Sequence, residues 1–493
     1  MSGQVELEPA GRGVSESVVG EAAPGPASGV ARRIALIVAA AFFMQNLDGA
    51  IINTSAPQMA RAFGVRPNDL NIGITAYIIS TATFVPLSGW IADRLGAKRV
   101  FAAAIVVFTL ASLACGLAQN LWVFVAARTI QGLGGALMTP VGRMVVLKNA
   151  GKADLLATTA LITWPALVAP VVGPALGGFI TTYVNWRWNF FLNLPIGLAG
   201  VALVLAFIPD GRDGSRSRFD PLGFGLTAAS LITLLAGLEG LTQGRAPALS
   251  IAGALIGIGL GAAAIQHLRR HDAPLLELSS LRVRTFVISA VGAGNLCRLA
   301  IAATPFLLPL MFQVAFGLSA WRAGLYVLAY FIGNLLMKTV TTPTLRRFGF
   351  RNVLVANGAL AGLALLACGF LTTTTSSVVV VMVLLAAGLT RSMQFTALST
   401  LAFADIEPRQ RGSSSTLASM LQQVAAGLGV ALGAILLTLS QALRGAGPLA
   451  QADFRFAFVV IGAIALVASA LFLQLPPDAG DDVSGRGAAQ RLP

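Results

Sequence analysis

Apolar residues run along this chain in blocks of about 20, the length that crosses a bilayer as a helix, with short polar turns between them. Fourteen blocks are readable, over 34–58, 71–92, 99–118, 121–147, 156–180, 190–208, 221–241, 248–267, 285–313, 320–344, 352–371, 377–403, 412–438 and 454–475. The pattern predicts an all-α integral membrane protein. Pro165, Pro170 and Pro174 lie inside the fifth block. Membrane helices tolerate such prolines where neighbours re-satisfy the freed backbone groups, and kinks are expected there.

Charge provides a check on this count, because Lys and Arg accumulate on cytoplasmic loops. With the amino terminus inside, nineteen of them fall on cytoplasmic flanks and loops and seven on the other side. An even number of spans with both termini cytoplasmic follows. The chain is 493 residues long, 56% hydrophobic and 11% charged, with a net charge of +14. In a soluble protein that charge would suggest nucleic acid; here it reads as membrane topology, and no nucleic-acid partner is expected. Residues 1–31 and 476–493 are expected to be cytoplasmic tails, the first disordered, since a Gly, Pro and Ser-rich segment cannot offset its ordering entropy. Arg32 and Arg33 precede a full-length span, which differs from a secretory signal. Cys115, Cys297 and Cys368 sit in three different blocks without ligand spacing and read as small core residues.

Against this background one stretch stands out. Phe43 to Gln58, FMQNLDGAIINTSAPQ, places Asp48 in the middle of the first span. A charge at the bilayer centre costs roughly 2.5–3.5 kcal/mol on insertion scales, so such residues face a cavity or a partner and usually act. Glu239 falls near the outer end of span seven and is expected to reach the interface, leaving Asp48 as the one deep carboxylate. Five bases, Arg128, Arg143, Arg298, Lys338 and Arg391, lie inside spans. The interior is cationic overall.

Gly96, in the loop after span two, and Gly349, in the loop after span ten, are 253 residues apart, as are Gly64 and Gly317 after spans one and nine. Arg128-Thr-Ile-Gln131 in span four recurs as Arg391-Ser-Met-Gln394 in span twelve. Two matches at one offset argue for duplication. The predicted organisation is a six-helix bundle over 32–208, a linker with two extra helices over 209–284, and a second six-helix bundle over 285–475. Asp48 maps by the offset to Ile301, one turn from Arg298.

These residues resemble the major facilitator superfamily, and within it the fourteen-helix drug:proton antiporter branch (EmrB/QacA-type). Gly89-Trp-Ile-Ala-Asp93-Arg94-Leu-Gly96-Ala-Lys98-Arg99 is similar to the signature loop between helices two and three. Arg128, Gln131, Gly132, Gly134 and Ala136 resemble the fourth-helix motif, and Gly173-Pro174-Ala-Leu-Gly177-Gly178 the antiporter motif of helix five. Leu47-Asp48-Gly-Ala-Ile-Ile-Asn53 with Pro57 resembles the branch's first-helix motif. Trp186-Arg187-Trp188-Asn-Phe190 with Asn193-Leu-Pro195-Ile-Gly197 resembles its helix-six signature. Ala50 stands where the first motif usually has Thr, and Ala160 and Ala169 replace upstream glycines of the fifth-helix motif. Arg346 stands in the second loop copy where the first has Asp93.

The resemblance implies two six-helix bundles rocking about a site near the midplane, with Arg128 linked to proton coupling and Gly89, Asp93, Arg94, Gly96, Lys98 and Arg99 acting as a gating loop. Gly173, Pro174, Gly177 and Gly178 would pack helices closely. For Asp48 two readings stand, a proton site or a structural hydrogen-bonding residue. Desolvation disfavours a charged carboxylate and a nearby guanidinium favours it, so moving a cation relative to Asp48 would bind or release a proton. Arg128 cannot carry that proton itself; it either tunes Asp48 or is satisfied by carbonyls. Gln45, Gln131, Arg298, Lys338, Arg391 and Gln394 are the substrate-cavity candidates, with carbonyl pairing or snorkelling as the plainer reading of the bases. His267 and His271 have i, i+4 spacing but flank Arg269 and Arg270 in an expected cytosolic segment, read as having no third ligand nearby, and a surface role is expected. Gly253, Gly257 and Gly261 form a small-residue stripe in span eight, suited to docking a helix or a second protomer.

The expected function is proton-coupled antiport that exports hydrophobic or amphipathic small molecules by alternating access. A proton-coupled importer of a specific solute, or a sensor without flux, are the alternatives. No enzyme signature, phosphate-binding loop, metal motif or cofactor motif is visible, so the proton gradient is the expected energy source, at roughly 2.3 kcal/mol per charge per 100 mV. A cationic interior favours neutral, zwitterionic or anionic amphiphiles over dications. The expected surroundings are the lipid bilayer of a bacterial inner (cytoplasmic) membrane, and a periplasmic adaptor is a compatible partner.

Overall fold

The computed structural model describes residues 29–149, 155–209, 219–242, 247–271, 274–407, 410–445 and 447–481. Most of the two expected tails lies outside them, with two corrections at the edges. Residues 29–31 open the first helix rather than belonging to a tail, and 476–481 form a turn whose Ala479 is buried in the same cluster as Phe350 and Leu401.

The first part of the chain forms α1 (Gly29–Phe63), α2 (Asn71–Phe84), α3 (Leu87–Leu95), α4 (Ala97–Leu117), α5 (Leu121–Asn149), α6 (Leu155–Tyr183), α7 (Trp188–Phe191) and α8 (Asn193–Phe207). Then come α9 (Pro221–Thr242) and α10 (Pro247–Arg270). The last part forms α11 (Arg284–Phe286), α12 (Ala293–Leu310), α13 (Ala320–Phe348), α14 (Phe350–Gly369), α15 (Ser377–Leu401), α16 (Arg411–Leu443) and α17 (Gln451–Leu471). Among the described residues 12 helical stretches are long and apolar enough to cross a membrane, or 13 with α2 and α3 taken as one bent span.

Two expected spans are broken rather than continuous. Between α2 and α3 the axis turns by 59° at Pro86, which caps α3; proline has no N–H to give and its ring crowds the preceding turn. The ninth block runs α11, a π-helical turn over Val287–Val291, then Gly292 and α12, and ends in a second π turn over Met311–Ala315. Irregular backbone of this kind at membrane depth must be satisfied by protein. In α6, by contrast, the helix continues through all three prolines.

The duplication read from the sequence has a backbone counterpart. Gly64 and Gly317 have φ of 68° and 69°, and Gly96 and Gly349 have φ of 90° and 76°. Positive φ favours glycine, and each pair ends a helix in the same way 253 residues apart.

Within the first part α1 packs on α6, and α5 on α2 and α4, with α8 against α4. Within the last, α13 packs on α15, α14 on α17, and α12 on α16. The two parts meet where α6 lies on α13, α2 on α16 and α1 on α12. Helix α9 packs on α2 and α16, and α10 packs on α9. The Gly253, Gly257 and Gly261 stripe is used in that last contact. A Cβ at Gly257 would lie 2.5 Å from the Leu234 nitrogen and one at Gly261 2.8 Å from Ser230 Oγ, so the stripe docks a neighbouring helix of the same chain.

Candidate functional site

Asp48 is 3% exposed and Arg128 1%, and they are joined: Arg128 Nη1 donates to Asp48 Oδ2 at 2.6 Å. Spacing on α5 puts Gln131 one turn beyond Arg128 on the same face. Gln131 Nε2 donates to Asp48 Oδ1 at 2.9 Å and to Ser112 Oγ at 2.6 Å, while its Oε1 accepts from Arg128 Nη1 at 2.5 Å. From the start of α8, Asn193 Nδ2 donates to Asp48 Oδ1 at 2.9 Å and to Ser112 Oγ at 3.0 Å. The other face of the guanidinium covers the Tyr77 ring of α2, with Cζ 4.3 Å from its centroid. Four helices therefore meet around one carboxylate, and α2 closes the cluster beneath the arginine.

Burying a pair of charges costs several kcal/mol per ion unless geometry and further hydrogen bonds compensate. Here the carboxylate takes three donors from side chains, which supply that compensation. Gln45, a turn before Asp48, touches the cluster through Tyr77: its Nε2 donates to the Tyr77 hydroxyl at 3.4 Å and to the Gly135 carbonyl at 3.2 Å, and its Oε1 accepts from Thr139 Oγ1 at 3.0 Å.

The candidates of the second half do not converge on Asp48. Arg298 Nη1 donates to the Ser289 carbonyl at 2.5 Å, a group of the π turn before α12, so this base satisfies the irregular backbone. Lys338 Nζ donates to Thr396 Oγ1 at 2.5 Å. Gln394 accepts from Asn357 Nδ2 at 2.8 Å and donates to the Leu354 carbonyl at 3.2 Å. Arg391 stands over the rings of Tyr330 and Phe331, at 5.4 and 5.3 Å. Among the described residues Arg298 Nε, Arg391 Nε, Asn53 Oδ1 and Asn295 Oδ1 are buried without a hydrogen-bond partner.

Glu239 departs from its expected interfacial position. It is 4% exposed, and its Oε2 accepts from Asn71 Nδ2 of α2 at 2.7 Å. Depth along α9 was readable, but the face that meets α2 was not.

In the last turn of α3, before Gly96, Asp93 is half-buried and enters none of the ion pairs among the described residues, and Arg94 lies over the Trp90 ring at 5.4 Å. Arg94 and Arg99 border a cleft of about 500 Å³ between α3, α4 and α5. At 100° per residue its lining residues Leu133 and Leu137 lie across α5 from Arg128, so this cleft is not part of the Asp48 cluster.

The opposite end of the bundle is closed. A Cβ at Gly173 would lie 2.6 Å from Ala50 Cβ, and one at Gly177 2.8 Å from Thr54 Oγ1, so these glycines seat α6 on α1. One at Gly178 would collide with the Ala320 carbonyl, and one at Gly324 with the Pro174 carbonyl. Nearby, Gln313 Nε2 donates to the Thr54 carbonyl at 2.8 Å, and the Trp321 amide to Thr182 Oγ1 at 3.1 Å. Two helices of one half thus grip two of the other.

Sequence reading missed Ser112 and Tyr77, and it quoted Asn193 without giving it a role. A polar residue after an aromatic run, as in Asn193-Leu-Pro195, was the signal for the last; uncharged Ser112 and Tyr77 carry no burial cost large enough to mark them.

The chain matches the Major Facilitator Superfamily over residues 38–430 and 290–492. It is 37% identical over 402 residues to the multidrug resistance protein MdtD of Serratia proteamaculans, covering 81% of this chain and 84% of that one. To the protein of the same name from Yersinia enterocolitica it is 34% identical over 448 residues, covering 90% and 95%. Among solved structures it is similar to an auto-inhibited peptide transporter of the POT family, with TM-score 0.66, 16% identity and coverage of 94% and 97%. A partially occluded inward-open form of the Escherichia coli xylose transporter XylE gives TM-score 0.61 at 14% identity, covering 91% and 98%. These likenesses carry the fold, and with the sequence match they give the family: the chain belongs to the Major Facilitator Superfamily.

Proposed function

We propose that this protein is a proton-driven exporter of hydrophobic or amphipathic small molecules, a multidrug efflux transporter of the fourteen-helix antiporter branch in a bacterial inner membrane. The relatives' name supports the efflux reading, and the buried Asp48–Arg128 pair carries the coupling. In this reading Asp48 alternates between two partners, the Arg128 guanidinium and a proton. Protonation neutralises the carboxylate and frees the arginine; re-pairing expels the proton. Charge pairing and proton binding exclude each other, which is what couples a conformational step to a gradient.

The closed contact of α6 with α13 is one pose of an alternating-access cycle. With both termini cytoplasmic, as the basic loops imply, this pose faces the cytoplasm. The unpartnered Arg298 and Arg391 nitrogens and the Asn53 and Asn295 oxygens offer polar contacts to a substrate, and the two cations favour neutral, zwitterionic or anionic amphiphiles. Two extra helices, α9 and α10, link the halves. The proton gradient supplies the energy with no cofactor.

Flux in proteoliposomes under an imposed pH gradient, against a panel of amphiphiles, tests this. Asp48→Asn is expected to abolish gradient-driven accumulation while downhill exchange persists. Unchanged gradient-driven transport removes Asp48 from the coupling step; no flux of any compound by the wild type favours a sensor.

A further inference from the structure

The sequence holds two histidines in 493 residues, and the fold brings both to a carboxylate. His267 lies in the last turn of α10 and His271 caps its end, with the His271 amide bonded to the His267 carbonyl at 3.0 Å. Helix α9 runs beside α10, and Asp220 stands immediately before it. His267 Nε2 is 2.9 Å from Asp220 Oδ1. The ligand-capable atoms of Asp220, His267 and His271 all lie within 4.8 Å of one another, and the two imidazole centroids are 5.1 Å apart.

Asp220 is fixed in place. Its Oδ1 accepts from the Gly223 amide at 2.8 Å and its Oδ2 from the Leu275 amide at 3.3 Å. The three residues form a gradient of access: Asp220 is buried, His267 half-buried and His271 exposed. An anchored anion lies at the back, one imidazole beside it, and one at the solvent side.

We propose that Asp220, His267 and His271 bind one divalent transition-metal ion of the zinc class, which clips the end of α10 to the start of α9. Imidazole nitrogens with one carboxylate suit zinc, cobalt, nickel or copper, whereas magnesium and calcium take oxygen ligands. Metal–ligand distances of about 2.0–2.2 Å require the three atoms to close around the ion. His271 is the ligand with room to move, since it is exposed at a helix end. Water completes the coordination on the solvent side. Arg269 projects from the opposite face of α10 at 100° per residue, and both Arg269 and Arg270 are exposed, where solvent and salt screen them. The helices to be clipped already pack closely through Gly257, so the ion would lock one end of an existing hairpin. The site is made only of residues at the ends of α9 and α10, and its test is independent of transport.

Full-length protein purified in detergent with a non-histidine affinity tag has no other imidazole to confuse the result. Titration with Co²⁺ is expected to give visible d–d absorption saturating at one equivalent and displaced by Zn²⁺. Bound Cu²⁺ is expected to show nitrogen hyperfine structure in its electron paramagnetic resonance spectrum. Zn²⁺ is expected to raise the unfolding temperature of the wild type. His271→Gln keeps the Asp220–His267 contact and is expected to lose all three signals while unfolding, metal-free, at the wild-type temperature. Equal Co²⁺ binding by wild type and His271→Gln, or no nitrogen coordination in the wild type, overturns the proposal and leaves Asp220–His267 as an interhelical hydrogen bond.

Discussion

Arg391 stands over the Tyr330 ring, its Cζ 5.4 Å from the centroid, as Arg128 stands over Tyr77 at 4.3 Å. The tyrosines are 253 residues apart, the offset that relates Gly64 to Gly317 and Gly96 to Gly349. Both halves thus place a guanidinium on an aromatic face. Only the first adds an acid, because the position equivalent to Asp48 is Ile301, buried and apolar. One cation is neutralised by a carboxylate and the other rests on two rings.

That asymmetry sets opposite outcomes for the two arginines. Arg128→Gln leaves a buried anion with two amide donors and no counter-ion, a change expected to destabilise by about 3–5 kcal/mol. Adding Asp48→Asn removes the stranded charge and is expected to recover a large part of that loss. Unfolding of purified single and double variants in detergent measures the coupling; an additive double variant would show that the pair is not energetically linked.

Arg391→Gln strands no anion. Its cation-π contacts contribute about 2 kcal/mol or less, so stability should fall little. If Arg391 meets substrate, KM for an anionic amphiphile is expected to rise several-fold while a neutral one of similar size is unaffected. Equal effects on both compounds would remove the charge-specific role.

The costly residues were legible and the ordinary ones were not. Asp48 and Arg128 announced themselves because a charge in an apolar run demands a partner, and Gln131 was marked by the repeated Arg-x-x-Gln pattern of spans four and twelve, as a cavity candidate rather than as a donor to Asp48. Ser112 and Asn193 complete the cluster from α4 and α8, but a hydroxyl or amide in a membrane helix has no comparable penalty and so leaves no mark. The block over 71–92 reads as one span although Pro86 lies inside it and the axis turns there by 59°, and the π turn before Gly292, which Arg298 satisfies, has no comparable sequence signature. Asp220 and His267 are 47 positions apart, and only the pairing of α9 with α10 brings them together.

The grip of α6 on α13 gives a conformational prediction. Gly178→Ala drives a methyl group into the Ala320 carbonyl, a backbone group that cannot rotate away, so the helices must separate. Cysteines introduced at Thr182 and Trp321, which are hydrogen-bonded here, report that distance, and the native Cys115, Cys297 and Cys368 are all buried and give little background. Disulfide formation is expected to fall several-fold in the Gly178→Ala background. Undiminished cross-linking would mean that α6 and α13 absorb the methyl group without opening.

Glu239 tests whether a second buried acid takes part in coupling. It accepts from Asn71 Nδ2 at 2.7 Å, and Asn68, one turn earlier in the chain, donates to Thr438 Oγ1 and the Ala434 carbonyl on α16. The start of α2 is thus tied to both α9 and α16 by side-chain amides. Glu239→Ala leaves the Asn71 donor without this acceptor in a buried setting, which costs about 1–3 kcal/mol, whereas Glu239→Gln keeps an acceptor oxygen and should unfold near the wild-type temperature. A structural Glu239 therefore predicts that Glu239→Gln retains gradient-driven transport in proteoliposomes under the conditions that silence Asp48→Asn. Loss of gradient-driven transport in Glu239→Gln, at unchanged stability and with downhill exchange intact, would instead make Glu239 a second proton-carrying group and give the coupling two sites in place of one.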